Sequence, residues 1–203
     1  MAKHICPAML CLRRMETFIR AKPMVEDLSF EVRRNDAASL LEKELSAGNI
    51  DPPLIDLLRH ISKIRHCYTL QSCYGHFVHD LQADDKNTEP IGKFKDSISR
   101  VHYRIAYLAF CIENSESGRR FHDDLKKVVE VDPEYMQFGS ADWFWKQAPN
   151  SYVVQLEPER GMKLDSVWVD VEEALYIESL REKFFAEVKK VVSGHLELLS
   201  GKS

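Results

Sequence analysis

Three features are scarce in this sequence: long apolar runs, an excess of charge of either sign, and clustered glycines. No segment approaches the roughly 18 consecutive apolar residues that a membrane-spanning helix needs, so no membrane contact is expected. The 28 basic and 32 acidic residues leave a net charge of −4. This balance argues against a general nucleic-acid binder, because phosphate contacts need clustered Lys and Arg. The 8 glycines stand singly, so the sequence lacks a Gly-rich phosphate-binding loop.

Cysteine is also sparse. The 5 cysteines are an odd number, and their irregular spacing does not match a secreted disulfide framework. A reducing compartment, the cytoplasm, is therefore expected. With 44% hydrophobic and 30% charged residues, the composition is typical of globular proteins. We expect a single α+β domain over 1–203, with a helical N-terminal region at 1–47 and a sheet-containing core at 48–203.

The first third of the chain carries mainly helical patterns. Apolar residues recur at helical spacing over 16–45, and Gly48 supplies a stop. Asp51, followed by two prolines, is predicted to cap the next helix, since proline is tolerated in a first turn. Two extended runs within 68–81, separated by Tyr74 and Gly75, then predict a β-hairpin.

The remaining elements predict a mixed, largely antiparallel sheet flanked by helices and closed by a long C-terminal helix. Further strands are expected at 103–113, at 134–146 with a break at Gly139, and at 151–158. Between them, a helix is expected to begin at Ser115 or Ser117.

The predicted turn brings reactive side chains together. Cys73 and His76 are its first and fourth residues, so their Cα atoms should lie within about 7 Å, and Gly75 suits the third position of a type II turn. A histidine next to a thiol can activate it as a nucleophile or serve as a general base for a bound substrate. The alternative is that Cys73 is simply a small buried residue.

No metal site is predicted near this turn. On an extended strand Cys67 and Cys73 would lie about 20 Å apart, too far for one tetrahedral ion. His76 and His79 differ in parity along the strand and should point to opposite faces.

Two tryptophans form a separate candidate. Trp143 and Trp145 would share one face of a strand, where their indoles could stack on an adenine or a modified base. Packing into the core is the alternative.

The run from Phe18 and Lys22 through "AGNIDPPLIDLLRHISKIRHCYTLQSCYGHF" resembles the opening module of the tRNA wybutosine-synthesising protein 3 family, most strongly over residues 18–80. In that family a Gly-x-hydrophobic-Asp start leads into a helix, then Tyr-Thr and a Ser-Cys-Ser-Gly-Arg turn. The matching positions are Gly48, Ile50, Asp51, Ile55, Leu58, Ile61, Tyr68, Thr69, Ser72, Cys73 and Gly75. Here His76 stands where the family has arginine and Tyr74 where it has serine.

The resemblance implies an α+β protein that uses S-adenosylmethionine to methylate a guanosine-derived base in tRNA. Ser72 and the backbone around Gly75 would hold the small-molecule ligand next to Tyr74. Cys73 would shape the pocket, and His76 would take a proton or an anionic group. Two alternatives from other classes stay open: a thiol enzyme using Cys73 and His76, and a binding or assembly protein without chemistry.

Overall fold

The computed structural model of the chain describes residues 19–82, 84, 86–141, 148–161 and 166–199. In chain order the strands and α-helices over these residues are β1 (Ile19–Arg20), α1 (Phe30–Ala47), α2 (Ile55–Ile61), β2 (Cys67–Cys73), β3 (His76–Val78), β4 (Arg100–Arg104), β5 (Ala106–Ile112), α3 (Glu116–Lys127), β6 (Met136–Ser140), β7 (Ser151–Leu156), β8 (Ser166–Asp170) and α4 (Val171–Leu199). The expected α+β class, with a helical N-terminal region and a long C-terminal helix, is confirmed.

The strands form two sheets. A five-stranded sheet has the order β1-β6-β7-β5-β2, and a three-stranded sheet has the order β3-β4-β8. Every strand pairing among the described residues is antiparallel, so neighbouring strands alternate in direction throughout both sheets.

The predicted hairpin over 68–81 is wrong. Strand β2 pairs with β5, and β3 pairs with β4 in the other sheet, so the chain crosses between sheets at Tyr74 and Gly75. The backbone groups of the crossing find partners outside a hairpin: the Tyr74 N–H donates to the Asp51 carboxylate, and the Gly75 carbonyl accepts from Arg181.

A second crossing divides the strand predicted at 103–113. Ile105 separates β4 of the three-stranded sheet from β5 of the five-stranded sheet. The predicted break at Gly139 is also wrong, because β6 continues through this residue, which pairs with Arg20 and Val153. An unbroken antiparallel ladder tolerates the missing side chain at that position.

The N-terminal helix is shorter than its sequence pattern indicates. Helix α1 begins at Phe30, which is its buried residue, and Ile19–Arg20 pairs with β6 as a short strand instead. The helix ends as expected at Gly48, whose φ of 69° is left-handed and whose N–H bonds back to the last turn. Most of α1 faces solvent, since its apolar residues are too few for a continuous buried stripe.

The core lies between the sheets and the helices α2, α3 and α4. Leu57, Leu58 and Ile61 of α2 pack into the same apolar cluster as Leu180 and Phe184 of α4. Each fully buried side chain of this kind stabilises the fold by about 1.5–3 kcal/mol. Among the described residues, no helix combines the length and apolar character needed to cross a membrane.

Candidate functional site

The crossing between the sheets has a backbone conformation that favours glycine. Gly75 has a φ of +89°, and an added Cβ would lie 2.9 Å from the Cβ of Ala106 and 3.2 Å from the hydroxyl oxygen of Tyr103. A side chain at this position would therefore be strained by conformation and by contact. The expected requirement for glycine at this turn follows from the close approach of β5.

Asp51 fixes the crossing from outside it. Its Oδ2 atom accepts a hydrogen bond from the Tyr74 N–H at 2.8 Å and lies 3.2 Å from Nε2 of His76. Asp51 occupies the N-cap position of the 3₁₀ turn Pro52–Leu54 that leads into α2, as predicted, but its side chain makes no capping hydrogen bond. The carboxylate instead satisfies two donors of the crossing. Burial by itself raises the pKa of Asp51, but the hydrogen bonds to His76 and to the Tyr74 N–H outweigh it and hold the pKa below its usual value.

His76 is enclosed by hydrogen-bond acceptors. Its Nδ1 atom donates to the backbone carbonyl of Asn87 at 3.0 Å, and its Nε2 atom faces Asp51. Both partners can only accept, so the ring is favoured with a proton on each nitrogen. Burial by itself lowers the pKa of His76, but hydrogen bonds to Asp51 and Cys73, the charge of Cys73 and the bond to Asn87 outweigh it and raise the pKa to about 10.

Cys73 completes the cluster. Its Sγ atom accepts from the Gly75 N–H at 3.4 Å and lies within 4.8 Å of a ring nitrogen of His76. A carboxylate oxygen of Asp51, the Sγ atom of Cys73 and a ring nitrogen of His76 all lie within 4.8 Å of one another. His76 is buried, whereas Asp51 and Cys73 are half-buried. The cluster therefore combines a carboxylate, an imidazole ring and a cysteine sulfur at a place that solvent partly reaches.

Tyr74 and Arg181 support the crossing from helix α4. The Tyr74 ring stacks on Phe185 with centroids 5.2 Å apart, and its hydroxyl donates to Glu182 at 2.6 Å. The guanidinium carbon of Arg181 lies 4.3 Å from the Tyr74 ring centroid, and its Nη1 atom donates to the Gly75 carbonyl at 2.8 Å. The side chain of Tyr74, expected to contact a ligand, is thus used in packing against α4.

The other predicted site residues are Ser72 and the two tryptophans. Ser72 is half-buried on β2, opposite Leu108 of β5 and directly before Cys73. Trp143 and Trp145 lie outside the described residues.

Two residues of the site were not predicted from the sequence. Asp51 stood among the matched positions of the resemblance, but its contact with the turn was not expected, and nothing in the sequence pointed to Arg181.

A second polar cluster lies apart from the crossing. His66 Nε2 is 3.2 Å from His195 Nδ1, and His195 Nε2 is 3.1 Å from Oδ2 of Asp124. His195 and Asp124 also line a groove of about 420 Å³ between α3 and α4. Lysines at its rim are paired with carboxylates, Lys127 with Asp124 and Lys190 with Glu187, so the groove presents little unbalanced charge.

Comparison with known proteins gives a likeness in fold. No protein-family model matches the chain, and no curated protein matches it. The PH1069 protein from Pyrococcus horikoshii is similar with a TM-score of 0.52 and 16% identity, over 82% of this chain and 95% of that chain. A hypothetical protein from Aeropyrum pernix gives a TM-score of 0.42 and 13% identity, over 70% of this chain and 98% of that chain. At these identities the first likeness concerns the fold alone.

Proposed function

We propose that this protein is a cytoplasmic, S-adenosylmethionine-dependent methyltransferase that modifies a guanosine-derived base in tRNA. One observation carries the proposal. The two sequence segments that resemble the wybutosine-synthesising family, the Asp51 start and the Cys73-x-Gly75 turn, meet in one hydrogen-bonded cluster through the Asp51 carboxylate. Three cysteines among the described residues are free, namely Cys67, Cys73 and Cys111. Free thiols agree with a reducing compartment.

The residues at the crossing fit the chemistry of that cofactor. S-adenosylmethionine supplies a methyl group on a positively charged sulfonium and carries ribose hydroxyls that donate hydrogen bonds. The contacts of Asp51 with the Tyr74 N–H and with His76 both use Oδ2, so Oδ1 can accept from a ligand hydroxyl. The negative charge of the carboxylate can attract the sulfonium. Ser72, half-buried beside Cys73, offers a hydroxyl that both donates and accepts.

His76 has a defined part in this proposal. As an imidazolium held between Asp51 and Asn87, it keeps the carboxylate oriented and can attract an anionic group of the ligand. Catalysis of methyl transfer depends mainly on alignment of the reacting groups. The rigid crossing, held from one side by Asp51 and from α4 by Arg181, supplies that alignment.

Calorimetric titration with S-adenosylmethionine and S-adenosylhomocysteine tests the proposal. Micromolar binding is expected, weakened at least tenfold in Ser72→Ala and in His76→Gln. As controls, Ser62→Ala and His60→Gln make the same chemical changes at the C-terminal end of α2. Both variants should bind the cofactor like the wild type. Absence of heat at millimolar ligand would contradict the proposal.

Methyl transfer itself requires a second measurement. Incubation of the protein with total tRNA and cofactor labelled on the methyl group should give label in the tRNA fraction. Cofactor binding without any transfer to RNA would support the ligand site and refute the proposed substrate.

A thiol enzyme is the second candidate, and the environment of Cys73 favours it. The N–H of Gly75 donates to Sγ, and a ring nitrogen of His76 lies within 4.8 Å of it. A histidine neighbour of this kind is typical of nucleophilic cysteines. Iodoacetamide at pH 7 should modify Cys73 before Cys67 and Cys111, and His76→Gln should slow that reaction. Equal rates in the wild type and in His76→Gln would contradict this candidate.

A further inference from the structure

We infer that Asp51, Cys73 and His76 form a binding site for a divalent transition metal, with Zn²⁺ as the preferred ion. The three side chains offer one oxygen, one sulfur and one nitrogen atom, all within 4.8 Å of one another. The inference goes beyond the proposed methyl transfer, because it requires neither S-adenosylmethionine nor RNA.

The spacing of the donor atoms suits one ion. Zinc binds imidazole nitrogen and carboxylate oxygen at about 2.0–2.2 Å and thiolate sulfur at about 2.3 Å, in tetrahedral geometry. Two such ligand atoms on one ion therefore lie roughly 3–4 Å apart. The distance of 3.2 Å between His76 Nε2 and Asp51 Oδ2 lies in this range, so one ion could bind both atoms.

The surroundings of two ligands match those of known metal sites. A ligating histidine normally donates its other N–H to a carbonyl or carboxylate, which fixes the ring and its tautomer. His76 does so through Nδ1 to the Asn87 carbonyl at 3.0 Å, which leaves Nε2 directed at Asp51. The Asp51 carboxylate is likewise oriented by the Tyr74 N–H at 2.8 Å. The ligands are thus held in place before any ion arrives.

The donor set selects the metal and its class of site. Thiolate and imidazole favour zinc over magnesium or calcium, which prefer oxygen ligands. Three protein ligands leave the fourth position of a tetrahedral ion open, as in sites where zinc holds water or substrate. The half-buried state of Asp51 and Cys73 gives solvent access to that position.

This set differs from the one excluded by sequence reasoning. The excluded ion was one held by Cys67 or His79 together with the turn residues, and the structure leaves both outside the cluster. Cys67 is fully buried at the far end of β2, and His79 packs its ring on Phe94 with centroids 4.6 Å apart. Asp51 is the added ligand, and its contribution depends on tertiary structure.

Cobalt titration of the full chain, after removal of metals by a chelator, tests the inference. One equivalent of Co²⁺ should give visible absorption of a tetrahedral ion and a near-ultraviolet thiolate-to-cobalt band, both abolished by added Zn²⁺. Cys73→Ser should remove the thiolate band, and His76→Gln should weaken binding at least tenfold. His79→Gln and the double variant Cys6→Ser/Cys11→Ser should keep the wild-type spectrum.

Zinc protection provides a measurement that needs no variant. One equivalent of Zn²⁺ should slow alkylation of Cys73 in the wild-type protein at least tenfold, as followed by mass spectrometry. Absence of the cobalt bands together with unprotected Cys73 would overturn the inference. A thiolate band that persists in Cys73→Ser and disappears in the Cys6/Cys11 variant would also overturn it.

Titration with S-adenosylmethionine in excess chelator separates the two proposals. Heat of cofactor binding that persists without metal would support methyl transfer even if the metal site fails.

Discussion

Nε2 of His76 lies 3.2 Å from Oδ2 of Asp51, although the residues are 25 positions apart in the chain. The same oxygen accepts the Tyr74 N–H at 2.8 Å. One carboxylate oxygen thus joins the segment before α2 to the point where the chain passes from one sheet to the other. Removal of the charge at this oxygen should affect both the fold and any ligand bound there.

The variant Asp51→Asn tests this link. An amide keeps the size of the side chain but leaves the buried imidazolium of His76 without a counter-charge. We expect the free energy of unfolding to fall by about 2–3 kcal/mol, measured by urea denaturation at pH 7 in the presence of a chelator. Asp56→Asn is the matched control, since that carboxylate is 87% exposed and its loss should change stability by less than about 0.5 kcal/mol. Equal effects of the two variants would refute the structural role of Asp51.

Gly75→Ala should destabilise the protein by at least about 2 kcal/mol, because the residue is left-handed and an added methyl group meets a neighbouring strand. The φ of +89° and the distance of 2.9 Å to the Ala106 Cβ set this expectation. Gly194→Ala, within helix α4, meets nothing within 4 Å and should be neutral or stabilising by up to about 1 kcal/mol. Thermal melts of both variants provide the comparison, and a harmless Gly75→Ala would mean that the crossing is not tightly packed.

Arg181→Lys keeps the charge but removes the planar guanidinium. Arg181 is 3% exposed, and its Nη1 donates to the Gly75 carbonyl at 2.8 Å while its guanidinium covers the Tyr74 ring. A lysine cannot reproduce both contacts, so a loss of about 2–3 kcal/mol is expected in urea denaturation. Arg59→Lys at an arginine whose side chain is 57% exposed should have almost no effect. A tolerated Arg181→Lys would show that packing alone holds α4 against the crossing.

His66 makes stability depend on pH. Burial is the main cause that lowers the pKa of His66 to about 4, and the charges of His195 and Arg34 act in the same direction. The unfolded chain therefore binds a proton more readily than the native protein between pH 6.5 and about 4, and native stability falls as pH decreases through this interval.

The size of this effect follows from the same linkage. Between pH 7 and pH 5 the wild type should lose about 1–2 kcal/mol through His66. His66→Gln should lose correspondingly less over that interval, and His60→Gln, at an exposed histidine, should behave like the wild type. Urea denaturation at the two pH values measures the difference, and identical pH dependence in wild type and His66→Gln would contradict the buried neutral state of His66.

Local chemistry explains which elements could be predicted. Ser115 caps α3 by accepting from the Gly118 N–H at 3.2 Å, as a serine before a polar helix start indicates. The buried stripe of α4 includes Leu180, Phe184 and Val188, which recur at helical spacing. Strand β7, which contains the apolar run 152–154 and ends two residues before Pro158, is fully buried. Each of these features depends on neighbours within a few positions.

The remaining features depend on contacts between distant segments. Two extended runs joined by a glycine turn have the same local pattern whether they pair with each other or with separate sheets, so β2 and β3 could not be assigned to their partners. An aspartate before two prolines favours helix capping by its position, and only the approach of Tyr74 and His76 redirects its carboxylate. The candidate site was therefore predictable in its turn residues and unpredictable in Asp51 and Arg181.

The bond between Arg181 and Gly75 spans 106 positions of the chain, which has a consequence for synthesis on the ribosome. When the crossing leaves the exit tunnel, the helix that completes it has not yet been translated. Contacts of such long sequence separation form late, after the entropy of loop closure has been overcome. The cluster of Asp51, Cys73 and His76 should thus assemble only after α4 emerges, so a nascent chain arrested before α4 would carry the ligand residues without a formed site.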